Sequence, residues 1–176
     1  IGIGLTFKPF ESAVVDLDYW SIDYDDLITV ENAQGKILAD INGADIYRTE
    51  NGTLSGIKVQ YFNSSEVKVS GLDMEGSFNV TDEISFSILT SQLLNFEITS
   101  PTGEKIDALG KFNRGNFARS LPKNKTNLNI DWSKNNLSLN GNINFISSYS
   151  NGEEKVNSYE TLDLNLRVRL SQINES

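Results

Sequence analysis

Period-two alternation of apolar and polar residues runs through almost the whole 176-residue chain, and its polar partner set is rich in Asn, Ser and Asp. Ile1, Ile3, Leu5 and Phe7 alternate with Gly2, Gly4, Thr6 and Lys8, and Pro9 is expected to stop that strand. Val15, Leu17 and Tyr19 alternate with Asp16 and Asp18; the phase then slips, so that Trp20, Ile22 and Tyr24 become the apolar set, as a bulge would cause. Leu162, Leu164, Leu166, Val168 and Leu170 stand opposite Thr161, Asp163, Asn165, Arg167 and Arg169. Such alternation specifies strands with one apolar and one polar face. It predicts strands at 1–8, 13–28, 66–80, 84–98, 121–133, 136–149 and 159–170.

The connections carry a second signal. They are short after Pro9, at 81–83 and at 133–136. They are long at 29–53 and 99–120, and of medium length at 151–158. Alternately short and long connections are the habit of outer-membrane barrels, with short periplasmic turns and long outer loops. The seven strands then run alternately down and up, beginning with 1–8 toward the periplasm. The segment 54–62 breaks this parity and is expected to be an extracellular extension, paired above the membrane. Lys36 to Ile41 is compatible with a helical turn inside an otherwise long loop.

Composition fits this reading. Hydrophobic residues make up only 38% of the chain, which is low for a packed soluble core but sufficient for a wall whose other face is wet. No run of about 18 apolar residues exists, so no transmembrane helix is expected, and a spanning strand needs only about 9–11 residues. The net charge of −9, from 24 acidic and 15 basic residues, argues against a nucleic-acid partner. The absence of Cys and His removes thiol chemistry, disulfides, most zinc sites and His-based triads. No catalytic residue, cofactor site or metal site is expected. Asp23, Asp25 and Asp26 are more readily a solvated cluster than a cation site. By periodicity alone a soluble, acidic β-sandwich of the lectin or adhesin kind competes with the barrel.

Ordered strings separate the two. Ile3-Gly4-Leu5-Thr6-Phe7-Lys8-Pro9 is followed by Val15-Asp16-Leu17-Asp18-Tyr19-Trp20-Ser21-Ile22-Asp23 and by Asp26-Leu27-Ile28. Gly56-Ile57, Tyr61-Phe62-Asn63 and Val69-Ser70-Gly71-Leu72-Asp73 come next, then Leu121-Pro122 and Asn127-Leu128-Asn129-Ile130-Asp131-Trp132. In order and spacing these resemble the later barrel strands of a TonB-dependent outer-membrane receptor. The Cys pair that some relatives carry in the first long loop is missing.

The resemblance implies an all-β antiparallel meander of about seven wall strands, open in this piece. Residues 1–176 would be part of a barrel domain, with plug domain and closing strands absent. It implies active uptake of an iron chelate, corrinoid or glycan across the outer membrane of a Gram-negative bacterium, and no enzyme. The implied partners are outer-membrane lipid, a plug of the same protein, the TonB complex through that plug, and a small-molecule or glycan ligand. Loops 29–53 and 99–120 would contribute to capture. Leu162, Leu164, Leu166 and Val168 would face lipid. Asn140, Asn142, Asn144, Arg167 and Arg169 would face the lumen, since an Arg on the lipid face at the midplane costs about 2–4 kcal/mol. Tyr19, Trp20, Trp132, Tyr149 and Tyr159 would be interfacial aromatics. Another outer-membrane barrel, such as an adhesin's translocator, is the third reading.

Overall fold

The computed structural model describes residues 1–26, 28–31, 33–63, 66–99, 103, 105–112 and 122–170. The main sheet is an antiparallel meander of β1 (Gly2–Phe10), β2 (Ala13–Asp25), β7 (Glu66–Asn79), β8 (Ile84–Thr99), β10 (Asn124–Lys134), β11 (Leu137–Ile146) and β14 (Tyr159–Val168), adjacent in that order. These are the seven strands expected from the alternation. A short β9 (Lys105–Asp107) extends the sheet beside β8.

The remaining elements all lie between strands at the end with the long connections. Between β2 and β7 come β3 (Ile28–Val30), α1 (Ala33–Ala39), β4 (Ile46–Arg48), β5 (Leu54–Ile57) and β6 (Tyr61–Asn63). β12 (Tyr149–Asn151) and β13 (Glu154–Val156) form a hairpin between β11 and β14. The segment 54–62 does stand outside the wall: β5 pairs with β4 and β6 with β3. The 29–53 connection is more ordered than expected. Ala33, Gln34, Lys36, Leu38 and Ala39 are good helix formers, so α1 begins earlier than the predicted turn. Asp40 ends it: its Oδ1 accepts from the Asn42 amide at 3.0 Å and its carbonyl from the Gly43 amide at 3.2 Å.

Short turns hold the opposite end. The Thr81 hydroxyl accepts from the amides of Glu83 and Ile84 at 3.2 and 3.0 Å. Asn135, at φ 52°, occupies the left-handed region that Asn tolerates best after Gly and makes the tight turn from Lys134 to Leu137. Two local expectations are corrected. Pro9 does not stop β1; it lies in an irregularity between Phe7 and Phe10, where a missing N–H costs no ladder bond. β2 carries no bulge at Tyr19 and Trp20, because it pairs with β7 residue for residue from Ala13 to Asp25. The irregularity sits across the sheet in β8, where Ser70 pairs with Asn95 and Gly71 with Leu93, leaving Leu94 as the extra residue.

No second sheet covers this one among the described residues. Leu162, Leu164, Leu166 and Val168 are 56–69% exposed, which is incompatible with a sandwich core. Among the described residues, the one cluster of buried apolar side chains joins Val67, Val69, Phe96, Ile98 and Ala108 at the long-connection end, with Trp20, Leu93 and Leu109 packed against it.

Candidate functional site: a two-faced wall and the lobe at its end

Because side chains alternate across a strand, the ladder registers assign every wall residue to a face. One row of partners runs Phe7, Val15, Gly76, Ile88, Leu128, Ile143, Leu162, all on the apolar face. On β14, Leu162 is the residue of the apolar set nearest the long connections, with Leu164, Leu166, Val168 and Leu170 below it. On β1, Phe7 is near the short-turn end, with Leu5, Ile3 and Ile1 above it. Along the row the apolar band therefore slides by its own height across the seven strands. That is about one residue per strand, which at about 3.3 Å per residue and 4.8 Å between strands tilts the strands by about 35° to the band's normal. Strands crossing a bilayer in a closed barrel have this tilt. Where the band holds glycine, rings or branched chains fill the space: Ile88 and the Phe78 ring, itself stacked on that of Phe86 at 4.8 Å, lie over Gly76, and Gly141 faces Leu164.

The opposite face is polar. Asn140 stands opposite Asp131 and Asn165, Asn142 opposite Asn129 and Asp163, and Asn144 opposite Asn127 and Thr161. Their side chains form two hydrogen-bonded groups, one of Asn140, Asn129 and Asp131 and the other of Asn127, Asn142, Asn144 and Thr161. Asn127 donates to Asn142 and Asn144 at 3.1 and 2.7 Å, Asn140 to Asn129 and Asp131 at 2.8 Å each, and Asn144 to Asn142 and Thr161 at 2.9 and 3.3 Å. Arg167 lies on this face opposite Ser138; Arg169 follows β14, its amide donating to the Asn136 carbonyl at 2.7 Å. Farther along, Asp16 is paired with Glu75 and Asp18 with Asp73, like charges directly opposite, and the Thr6 hydroxyl donates to Asp16.

The five aromatics do not fall together. Tyr19 and Trp132 are on the apolar face, Tyr19 toward the long connections and Trp132 toward the short turns. Trp20 and Tyr159 are on the polar-face side, and Tyr149 lies beyond the wall in β12. Trp20 is half-buried. Its Nε1 donates to Asp73 Oδ2 at 3.0 Å, and Asp73 Oδ1 accepts from Ser91 Oγ at 2.6 Å. Its ring lies over Gly71, where an added Cβ would clash with Cζ2 and Cε2 of the indole. Two strings that read separately in the sequence, around Tyr19-Trp20 and Gly71-Leu72-Asp73, are thus one contact. Above it the same side of the sheet turns apolar, which accounts for the phase slip without a bulge in β2.

Lys36 organises the lobe over 28–63. Its Nζ lies 2.7 Å from Glu31 Oε2 and 2.8 Å from Asp45 Oδ2, and donates to the Lys58 carbonyl at 3.2 Å. Glu31 also accepts from the Gln60 amide at 3.0 Å. The hydrogen bond from Lys36 lowers the carboxyl pKa of Glu31 and of Asp45, the Gln60 amide lowering Glu31 further. The bonds to Asp45 and Glu31 raise that of Lys36. Of the 99–120 connection, residues 100–102, 104 and 113–120 lie outside the described residues, as do Leu27 and Leu121 of the strings quoted above. Asp107, in the described part, has its carboxyl pKa lowered by the Leu109 amide and by Lys111. Asp23 and Asp25 end β2 and Asp26 turns at φ 55°. No cluster of three or more metal-binding side chains forms among the described residues, and no described helix is long and apolar enough to cross a membrane, which says nothing of strands.

The model of the family described as TonB dependent receptor-like, beta-barrel, matches residues 2–174. No curated protein matches the chain. Among solved structures, the ferric enterobactin receptor PfeA of Pseudomonas aeruginosa, in complex with enterobactin, is similar at a TM-score of 0.62 and 17% identity. The copper transporter OprC is similar at 0.56 and 11%. Each match covers 97% of this chain and 23% of the other, so the chain spans about a quarter of those proteins, and the likeness is one of fold. With its two-faced meander, its slanted apolar band and a family match over nearly its whole length, the chain belongs to the β-barrel domain of TonB-dependent receptors of the Gram-negative outer membrane.

Proposed function

We propose that this chain is a stretch of barrel wall in a receptor that takes up a scarce nutrient across the outer membrane, transport and not catalysis being its task. The observation that carries this reading is the slanted apolar band backed by an amide- and acid-rich face. Leu162, Leu164, Leu166 and Val168 face lipid, with Tyr19 and Trp132 as the aromatics at its two borders. Asn140, Asn142, Asn144 and Arg167 face a wet lumen or a plug supplied by the same full-length protein, with Arg169 at its short-turn end. Opposed acids such as Asp16 and Glu75 destabilise a dry interface and are tolerated beside water. Energy reaches the plug from TonB, and the 28–63 lobe and the 99–120 connection help to hold the cargo. An iron chelate, a corrinoid or a glycan all fit this reading; enterobactin and copper belong to the neighbours' names.

Single Cys substitutions at 162–168 and 140–144 give spin-label sites in lipid vesicles, in an intact protein whose Cys residues outside these 176, where present, are replaced by Ser. Oxygen accessibility is expected to peak at Leu162, Leu164, Leu166 and Val168, and accessibility to a water-soluble relaxant at Asp163, Asn165 and Arg167. A profile without this period of two would sink the reading.

A further inference from the structure

Two successive connections at the outer end are tied to each other through one residue. β9 runs beside β8, and the next residue, Ala108, sits 3% exposed among Val67, Val69, Phe96 and Ile98, its amide donating to the Phe96 carbonyl at 2.8 Å. The chain then turns at Gly110, whose φ of 67° lies in the left-handed region that favours glycine. On both sides of Lys111 it meets β12. The Ser150 amide donates to the Gly110 carbonyl at 2.8 Å, and the Phe112 amide donates to the Ser150 carbonyl at 2.7 Å, making an isolated parallel bridge between Lys111 and Ser150. Ser150 is the middle residue of β12, itself paired with β13 through Lys155.

We propose that 105–112 and the β12–β13 hairpin form a clasp, opening and closing as one unit seated on the apolar cluster around Ala108. The β12–β13 hairpin is a separate two-stranded pair, marginal in water by itself, whereas β9 extends the wall beside β8 and its chain is anchored at Ala108. Joined, they share the burial at Ala108 and two backbone bonds at Ser150. Motion imposed on either connection is thereby passed to the other, across the tops of β10 and β11. The coupling is a property of the fold and does not depend on what the receptor carries.

Hydrogen exchange on the intact protein in detergent, resolved to single amides, tests it. In the parent chain Ala108, Phe112 and Ser150 are expected to exchange at a common rate, as members of one cooperative unit. Ala108→Asp places a charge in the apolar seat and is expected to speed exchange at Ser150 roughly tenfold, although it lies in another connection. Loosening confined to 105–112, with Ser150 unchanged, would overturn the proposal. Ser150→Pro removes the donor to Gly110 and reads the coupling from the other side, which decides the matter if Ala108→Asp fails to assemble. Faster exchange at Ala108 supports the clasp, and unchanged exchange there refutes it.

Discussion

Gly71 carries the ring of Trp20, and the two residues illustrate how much of this wall is decided side chain by side chain. Any β-carbon at Gly71 meets the indole and, at 3.1 Å, the Gln92 carbonyl. Gly71→Val is therefore expected to unseat Trp20 and cost about 1–3 kcal/mol, the usual price of overpacking. The fluorescence that Trp20 contributes, taken as the difference from Trp20→Phe, should shift to the red together with a lower unfolding midpoint. Lys36 is the second such residue. The lowered pKa values of Glu31 and Asp45 mean that their contribution is present above the ordinary carboxylate values, 4.5 and 3.8, and is lost as pH falls through the lower folded values. The raised pKa of Lys36 means that its contribution is complete below 10.5 and is lost as pH rises through the higher folded value. The three side chains are 26–35% exposed, so salt should weaken the set. Limited proteolysis of the 28–63 lobe is expected to accelerate below about pH 4, at high salt, and in Lys36→Met at all pH values. None of this was legible in the sequence: Lys36 read as part of a possible helical turn, because its partners lie in separate elements that only the folded lobe brings together.

At the scale of elements, β14 is the cleanest test of the faces. Leu164→Arg is expected to cost about 2–4 kcal/mol in a urea titration of folding into lipid vesicles, because a guanidinium would sit in hydrocarbon. Arg167→Leu, on the opposite face, is expected to cost far less. Equal costs for the two would contradict the assignment of the faces. The β10–β11 turn offers an independent check: a β-branched residue tolerates φ 52° poorly, so Asn135→Val should lose about 1–2 kcal/mol while Asn135→Gly stays near neutral. Strand positions and turn chemistry of this kind were readable in advance, since both depend on near neighbours in the chain. The 28–63 lobe was not, apart from the exclusion of 54–62 from the wall. Its strands are three or four residues long and too short for alternation to register.

For the molecule as a whole, the slide of the apolar band predicts a measurable orientation. Polarised infrared spectra of the intact protein in oriented bilayers should give a mean strand tilt of about 35°; strands standing upright would break the link between ladder register and membrane band. The sequence by itself determined the period, the two faces, the alternating connection lengths and hence seven strands in a meander, because each follows from local backbone geometry and the cost of burying charge. Tertiary structure alone decided that β2 keeps its phase past Trp20, that the irregularity falls at Leu94 of β8 and not in β2, and that Ser150 clasps Gly110 and Phe112. A side chain's face is set by counting along its own strand. What covers that face, and where a ladder slips, depends on segments distant in the chain, whose approach leaves no periodic trace in either of them.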